Sequence, residues 1–403
     1  MVTVHDTLTT EESGAGVVGT ATALLDAYRP ATDRFFSSPT RTLLARGISV
    51  QVPHDARPLT ERVRDALTSA RASGQPDPIV VGAMPFDPAA PAALAVPDTL
   101  HQAPALGRDP LIALPAPEPA DTAWEMSPVP APEVYGAAVA AAVGRMKAGE
   151  FSKVVLARAL DLRGDREPDV PGMLQRLARR DTRGYTFAMP TGSGRTLLGA
   201  SPELLVSRRG DALVANPLAG STPRSADLAE DVRRAAALLE SPKDLHEHAV
   251  VVNAIREALA PYCTDLVVPE RPTLVKTAAM WHLSTTMTGS LADLGGGAPA
   301  SALELACALH PTPAVCGQPT ALARRVIGEL EPFDRGLYSG VVGWGDAAGD
   351  GEWVVTIRCA EAAPSGLRLF AGAGVVASSD PAAEIAETSA KFRTFLDAVG
   401  ATL

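Results

Sequence analysis

Between residues 103 and 132 proline recurs at Pro104, Pro110, Pro115, Pro117, Pro119, Pro128, Pro130 and Pro132. Each ring fixes its own φ and removes a backbone N–H, so neither a helix interior nor a central strand can run through this stretch. It is expected to be an extended connection over the surface, and it divides the chain in two. On its N-terminal side, residues 17–132 alternate short apolar stretches such as Thr42-Leu43-Leu44-Ala45 and Ile79-Val80-Val81-Gly82 with turn signals. With one helical stretch near 60–73, this is the pattern of an α+β lobe ending in the Pro-rich connection. Residues 1–16 are small and polar, ending in Ser13-Gly14-Ala15-Gly16, the composition of a poorly ordered terminus.

Residues 133–403 hold the clearer elements and the polar chemistry. Val154–Arg158 and Trp353–Arg358 are expected strands, and Leu367–Val376 is an expected strand broken at Gly372 and Gly374. Ser241-Pro242-Lys243-Asp244 places a cap, a proline at the first helical position and an acid at the third, predicting a helix to about 260. Asp380-Pro381 starts a second helix by the same logic, to about 398.

A chain of 403 residues with 46% hydrophobic content can bury the core of a sizeable enzyme. The formal net charge of -10 disfavours nucleic acid or an acidic membrane surface as partner. An anionic substrate would need local help from a metal or an arginine. Cys263, Cys307, Cys316 and Cys359 are scattered without zinc-site spacing and fit free thiols in a reducing compartment. No signal-like N-terminus and no apolar run approaching ~18 residues is present, so a cytoplasmic protein without membrane contact is expected.

On the helix opened by Ser241, Asp244 and Glu247 share a face. On the C-terminal helix Glu384, Glu387 and Lys391 form a second stripe beside Ile385, Phe392 and Leu396. Two helical carboxylate pairs suit a hard cation such as Mg2+; solvated faces with intrahelical ion pairs are the plainer reading. Asp244 also occupies the capping-box position of its own helix. Lys153 at the mouth of an apolar strand is either a general base with a burial-lowered pKa or an edge-strand lysine. Glu203, between a turn and an apolar run, is either a general acid or a turn residue. Pro217–Thr222 and Ala371–Gly374 are small-residue segments that admit a ligand close to the backbone, and neither fits a nucleotide-binding pattern.

Taken in order, these motifs resemble the chorismate-utilising enzymes. The series runs Lys153–Arg158, Gly199–Leu205, Asn216–Ser221, Ser241–His248, Trp281-His282-Leu283, His310–Val315, Glu331–Tyr338, the Arg358 strand, Ala371–Gly374 and Glu384–Lys391, covering essentially all of 133–403. The resemblance implies an α+β fold: large antiparallel β-sheets packed face to face, helices outside, and the active site in a cleft between two lobes. It implies Lys153 as the base activating water and Glu203 as the acid protonating a leaving hydroxyl. Glu247, Glu384 and Glu387 would surround Mg2+, with Asp244 beside it through water. Gly220, Ser221, Tyr338, Arg358, Gly372 and Lys391 would hold the substrate carboxylates, and His282 would pack near the ring. Ser221 stands where the family carries threonine and Ile385 where it carries an aromatic.

Within the family, ammonia-using members lack a lysine at position 153, and Ala219 replaces the nucleophilic lysine of aminodeoxychorismate synthases. The resemblance therefore points to Mg2+-dependent isochorismate synthase, an isomerase adding water at C2 of chorismate with loss of the C4 hydroxyl. A salicylate synthase, which goes on to eliminate pyruvate, is the near alternative. A non-catalytic chorismate-binding protein is the alternative of another class. The expected partners are chorismate and isochorismate, with the chain a monomer in transient contact with a downstream enzyme.

Overall fold

The computed structural model describes residues 18–293 and 298–401; the reading of residues 1–16 as a poorly ordered terminus lies outside the described residues. Two antiparallel sheets, of ten and nine strands, carry most of the chain, and a three-stranded sheet sits beside them. The strands sort their side chains by alternation. In Arg41–Arg46, Leu43 enters the core shared by the two sheets while its neighbour Leu44 enters the core beneath the outer helices. Phe36 and Phe35 part in the same way, as do Leu197 and Leu198. In the nine-stranded sheet Val81, Leu204, Val342 and Val354 face the shared core. Val80, Leu205, Val341 and Val355 face the opposite core with helices Leu59–Ala72, Pro242–Leu259 and Ala302–Leu309. The result is a four-layer stack of helices, sheet, sheet and helices.

The proline stretch is not a boundary between two bodies. Strands Asp33–Ser37, Arg41–Arg46 and Thr99–Pro104 join the ten-stranded sheet through the pairing of Phe35 with Ala188, and Ile79–Met84 joins the nine-stranded sheet by pairing along Val341–Asp346. Both sheets thus draw strands from both sides of residue 132. The stretch itself is partly built in: Pro110–Ala113 is a short 3-10 turn capped by Asp109, and Glu125–Val129 pairs with the end of strand Lys153–Arg163.

The helices begin where their caps place them, at Pro242 and Pro381, with Ser241 and Asp380 accepting from the backbone at the third helical position. Gly366–Val376 is continuous, with Gly372 and Gly374 paired in register against Ala157 and Val155 of strand Lys153–Arg163, so the expected break is absent. The strand expected to reach Arg358 ends at Val355, because the chain there leaves one sheet for the other. No described helix is long and apolar enough to cross a membrane.

Candidate active site

The site lies where the chain changes sheets. Strand Arg195–Ser201 belongs to the ten-stranded sheet and Leu204–Arg209 to the nine-stranded one, so Glu203 occupies the crossing. Gly351–Val355 and Cys359–Ala363 are joined by a second crossing that carries Arg358. The two crossings are stitched together, with the Val355 N–H donating to the Glu203 carbonyl at 3.1 Å and the Ala200 N–H to the Arg358 carbonyl at 3.1 Å. Arg358 takes a left-handed φ of 50°, an unusual conformation for a residue with a Cβ, held here by this framework.

Glu203 is 3% exposed, and its carboxylate accepts a long hydrogen bond of 3.4 Å from the Leu218 N–H. Burial pushes its pKa up to about 7, against the pull of that amide and of Lys153, Arg358 and Lys391. It can therefore hold a proton near neutral pH and release it on demand, as a general acid must. The guanidinium of Arg358 donates to His282 Nε2 at 3.0 Å. Burial and then the Arg358 charge hold the His282 pKa far below its ordinary value, so the imidazole is neutral and acts as an acceptor that aims the guanidinium. Arg358 Nε is buried without a hydrogen-bond partner, consistent with a donor waiting for an anion.

The opposite wall joins helices Pro242–Leu259 and Pro381–Val399 to the paired strands of Lys153 and Gly374. Lys153, fully buried at the start of its strand, reaches Glu247 Oε1 at 3.0 Å. Gly374 makes the room, since a Cβ there would stand 2.0 Å from that oxygen. Glu387 accepts from Lys391 Nζ at 2.6 Å and from Ser221 Oγ at 3.0 Å. Burial works against its charged form, but Lys391 and Lys243 outweigh it and hold its pKa below the usual range. Glu384 is fully buried and meets Lys243 Nζ at 2.9 Å; burial and then the neighbouring Glu387 push its pKa up, and its Oε2 has no hydrogen-bond partner. Asp244 is tied into its helix cap, accepting from Ser241 Oγ at 2.5 Å.

Between these walls is a cleft partly open to solvent. It is lined by Glu203, Gly220, Ser221, Glu247, His282, Tyr338, Arg358, Gly372, Glu387 and Lys391, so these residues, read from scattered motifs, come together. The Tyr338 ring stacks on Phe370 at 4.8 Å between centroids, and burial pushes its phenol up to about 12, leaving it a donor at neutral pH. Gly220 has φ +77°, and a Cβ there would press 3.0 Å from Asp244 Cβ. The preceding Ala219 carbonyl is 3.1 Å from His248 Nδ1. Lys391 also donates to the Gly372 carbonyl at 2.8 Å.

Sequence reasoning missed three contributors. Lys243 reads in the sequence as a helix-start residue, and nothing in its spacing points to Glu384. His248 and the Arg335–Glu331 pair stand in the sequence only as parts of longer motifs. Arg335 donates to the carbonyls of Val315 and Val155, both cleft walls, and Glu331 accepts from the Ala157 N–H, so this buried pair fixes the floor of the site.

As placed, no three His, Cys, Asp or Glu side chains among the described residues close on a common point for a metal. The physical reason is visible: Glu247, Glu384 and Glu387 are each spanned by an ammonium, from Lys153, Lys243 and Lys391. The donor set nevertheless suits a hard divalent cation. It offers carboxylate oxygens from two helices, a buried unpartnered oxygen on Glu384, and mutual repulsion of Glu384 and Glu387 that a cation would relieve.

Comparison with known proteins identifies the family. Residues 108–400 match the family described as chorismate binding enzyme. Isochorismate synthase DhbC of Bacillus subtilis is 51% identical over 94% of this chain and 96% of its own length, and the vibriobactin-specific isochorismate synthase of Vibrio cholerae is 40% identical over 94% of each. The crystal structure of DhbC from Bacillus anthracis superposes with a TM-score of 0.88 at 48% identity, covering 95% of this chain and all of the other. The chain belongs to the chorismate-binding enzymes.

Proposed function

We infer that this protein is an isochorismate synthase, an isomerase that adds water at C2 of chorismate as the C4 hydroxyl departs. The single observation that carries the chemistry is the placement of a buried acid with a pKa of about 7, Glu203, across one cleft from the buried Lys153–Glu247 pair. Relatives named isochorismate synthase match over nearly the whole chain, which supports the reaction class.

Lys153 acts as the base in its free-amine form, after the ammonium drawn to Glu247 has given up its own proton: it takes a proton from the attacking water, and Glu203 gives one to the leaving hydroxyl. One proton leaves the nucleophile and one joins the leaving group, so no oxidant or co-substrate is needed. Arg358, aimed by His282, holds a substrate carboxylate together with Tyr338, Lys391 and the small residues Gly220, Ser221 and Gly372. Mg2+ would be held by Glu247, Glu384 and Glu387, with Asp244 beside it through water. When bound it supplies positive charge for the ring carboxylate of the substrate. We place the protein in the cytoplasm as a monomer that meets a downstream enzyme transiently, and a salicylate synthase remains the second reading.

The test is product analysis of the purified protein with chorismate and Mg2+, with and without ammonium. Isochorismate alone in both cases is the expected result. Salicylate with pyruvate would move the protein to the second reading, and an amino product would remove water activation by Lys153.

A further inference from the structure

The three ammonium groups on the acidic wall are not equivalent. Lys153 is wholly buried against Glu247, and Lys391 is 13% exposed and tied to the Gly372 carbonyl as well as to Glu387. Lys153 has no water to retreat into, and Lys391 is held by two acceptors at once. Lys243 is 31% exposed at the start of a different helix from its partner, and its hydrogen bond goes to Glu384, which is fully buried. A lysine head on a four-carbon stem at the rim of a cleft can return to solvent by rotating its own side chain.

We propose that Lys243 is a displaceable latch: its ammonium occupies Glu384 in the metal-free protein, competes with Mg2+ for that carboxylate, and swings out to solvent when the ion enters. The proposal rests on the reading of Glu384 as a Mg2+ ligand. A divalent cation drawn to the unpartnered Oε2 of Glu384 would stand only a carboxylate's width from an ammonium on Oε1, with strong repulsion between them, so occupancy by one disfavours the other. Without Mg2+ the latch also has a holding role, because it offsets the charge of Glu384 beside Glu387 and bridges helix Pro242–Leu259 to helix Pro381–Val399. Among the three lysines, only this one combines a solvent exit with a carboxylate whose second oxygen is unpartnered.

The experiment is calorimetric titration of the full chain with Mg2+ alone, without chorismate, for wild type, Lys243→Met, Lys243→Arg and Glu384→Gln. Removing the competitor is expected to tighten Mg2+ binding about five- to tenfold in Lys243→Met. The same variant should melt at a lower temperature than wild type without Mg2+ and gain more from its addition. Lys243→Arg keeps a cation with a carboxylate-matching fork on Glu384 and should bind Mg2+ more weakly than wild type. Mg2+ binding to Lys243→Met that is unchanged or weaker overturns the latch. If that variant does not fold, unchanged or tighter binding by Lys243→Arg overturns it equally. Glu384→Gln separates the two ideas. Binding equal to wild type there removes Glu384 from the metal site, whereas lost binding there combined with indifference to Lys243 removes the latch alone.

Discussion

Two walls of one cleft carry buried carboxylates that behave in opposite ways. Glu203, at the strand crossing, has a backbone amide as its hydrogen-bond partner, and burial raises its pKa to about 7. Glu387, on the helical wall, has an ammonium and a hydroxyl, and its pKa is held below the ordinary range despite burial. The residue type is the same, and desolvation opposes the charge of both although Glu387 is the less buried, so the partner decides whether a carboxyl acts as a proton donor or as an anchor for positive charge. Glu203 is set to give a proton, and the carboxylates of the facing helices are set to hold positive charge.

The largest test of that division is at its two poles. Glu203→Gln keeps the shape but cannot deliver a proton, so kcat should fall by roughly 10² to 10⁴ with KM little changed. Lys153→Ala should fall by a similar roughly 10² to 10⁴ through loss of the base. Steady-state kinetics check both, and a near-normal kcat in either variant takes that residue out of the proton path.

Gly374→Ala probes the wall opposite Glu203 without touching a charge. A methyl group 2.0 Å from Glu247 Oε1 must displace the Lys153–Glu247 pair. Overpacking of this kind should cost about 1–3 kcal/mol of stability, read by denaturant titration, with a marked loss of turnover. Full activity would mean that the pair's position does not matter.

The pH dependence sharpens the contrast further. Because the folded Glu203 pKa is raised from an ordinary 4.5 to about 7, the acid form persists to neutrality. Its contribution to kcat/KM should be level below pH about 7 and fall about tenfold per pH unit above. The same shift makes the folded state the better proton binder. Its stability contribution is full below the ordinary value and is lost as pH rises through about 7. Glu203→Gln should therefore gain stability relative to wild type on going from pH 5.5 to 8.5, as measured by denaturation midpoints at the two pH values. A constant difference would place Glu203 among ordinary carboxyls.

The smallest effect belongs to Ser221→Ala, which removes the hydroxyl that donates to Glu387 while Lys391 remains. A loss of about 0.5–1.5 kcal/mol, seen as a few-fold change in kcat/KM, is expected. A loss as large as that of Glu203→Gln would mean that the hydroxyl does more than support Glu387.

What the sequence discloses and what it withholds follow from the range of the interactions involved. Caps act over four residues, so the helices opened by Ser241 and Asp380 could be read almost to the residue. Apolar runs rich in strand-forming residues are equally local, and the strands around Leu43, Val80 and Val155 are legible from them. The glycines of Gly366–Val376 misled, because a glycine that makes room for Glu247 looks the same in sequence as one that breaks a strand. Arg358 was placed on a strand because its apolar run reaches it, but the run ends in a crossing between sheets. Lys243 was legible only as a helix-start lysine, since its partner lies 141 residues away. The motif order resembling the chorismate-utilising enzymes supplied the assembled site. Spacing on either helix alone could not bring Glu247 near Glu387.

The interleaving of strands across residue 132 has a consequence for how the protein is made. Phe35 pairs with Phe-bearing strand Tyr185–Gly192, and Ile79–Met84 waits for Val341–Asp346, more than 250 residues later in synthesis. Contacts that distant close slowly, and neither sheet can shut its edges until the late strands arrive. During translation the early strands therefore stand as open templates for wrong partners, and cutting the chain near residue 132 should leave two fragments that each lack strands from both sheets. The yield of active enzyme is then set by how well those waiting edges are shielded, a matter of chaperone supply and growth temperature rather than of active-site chemistry.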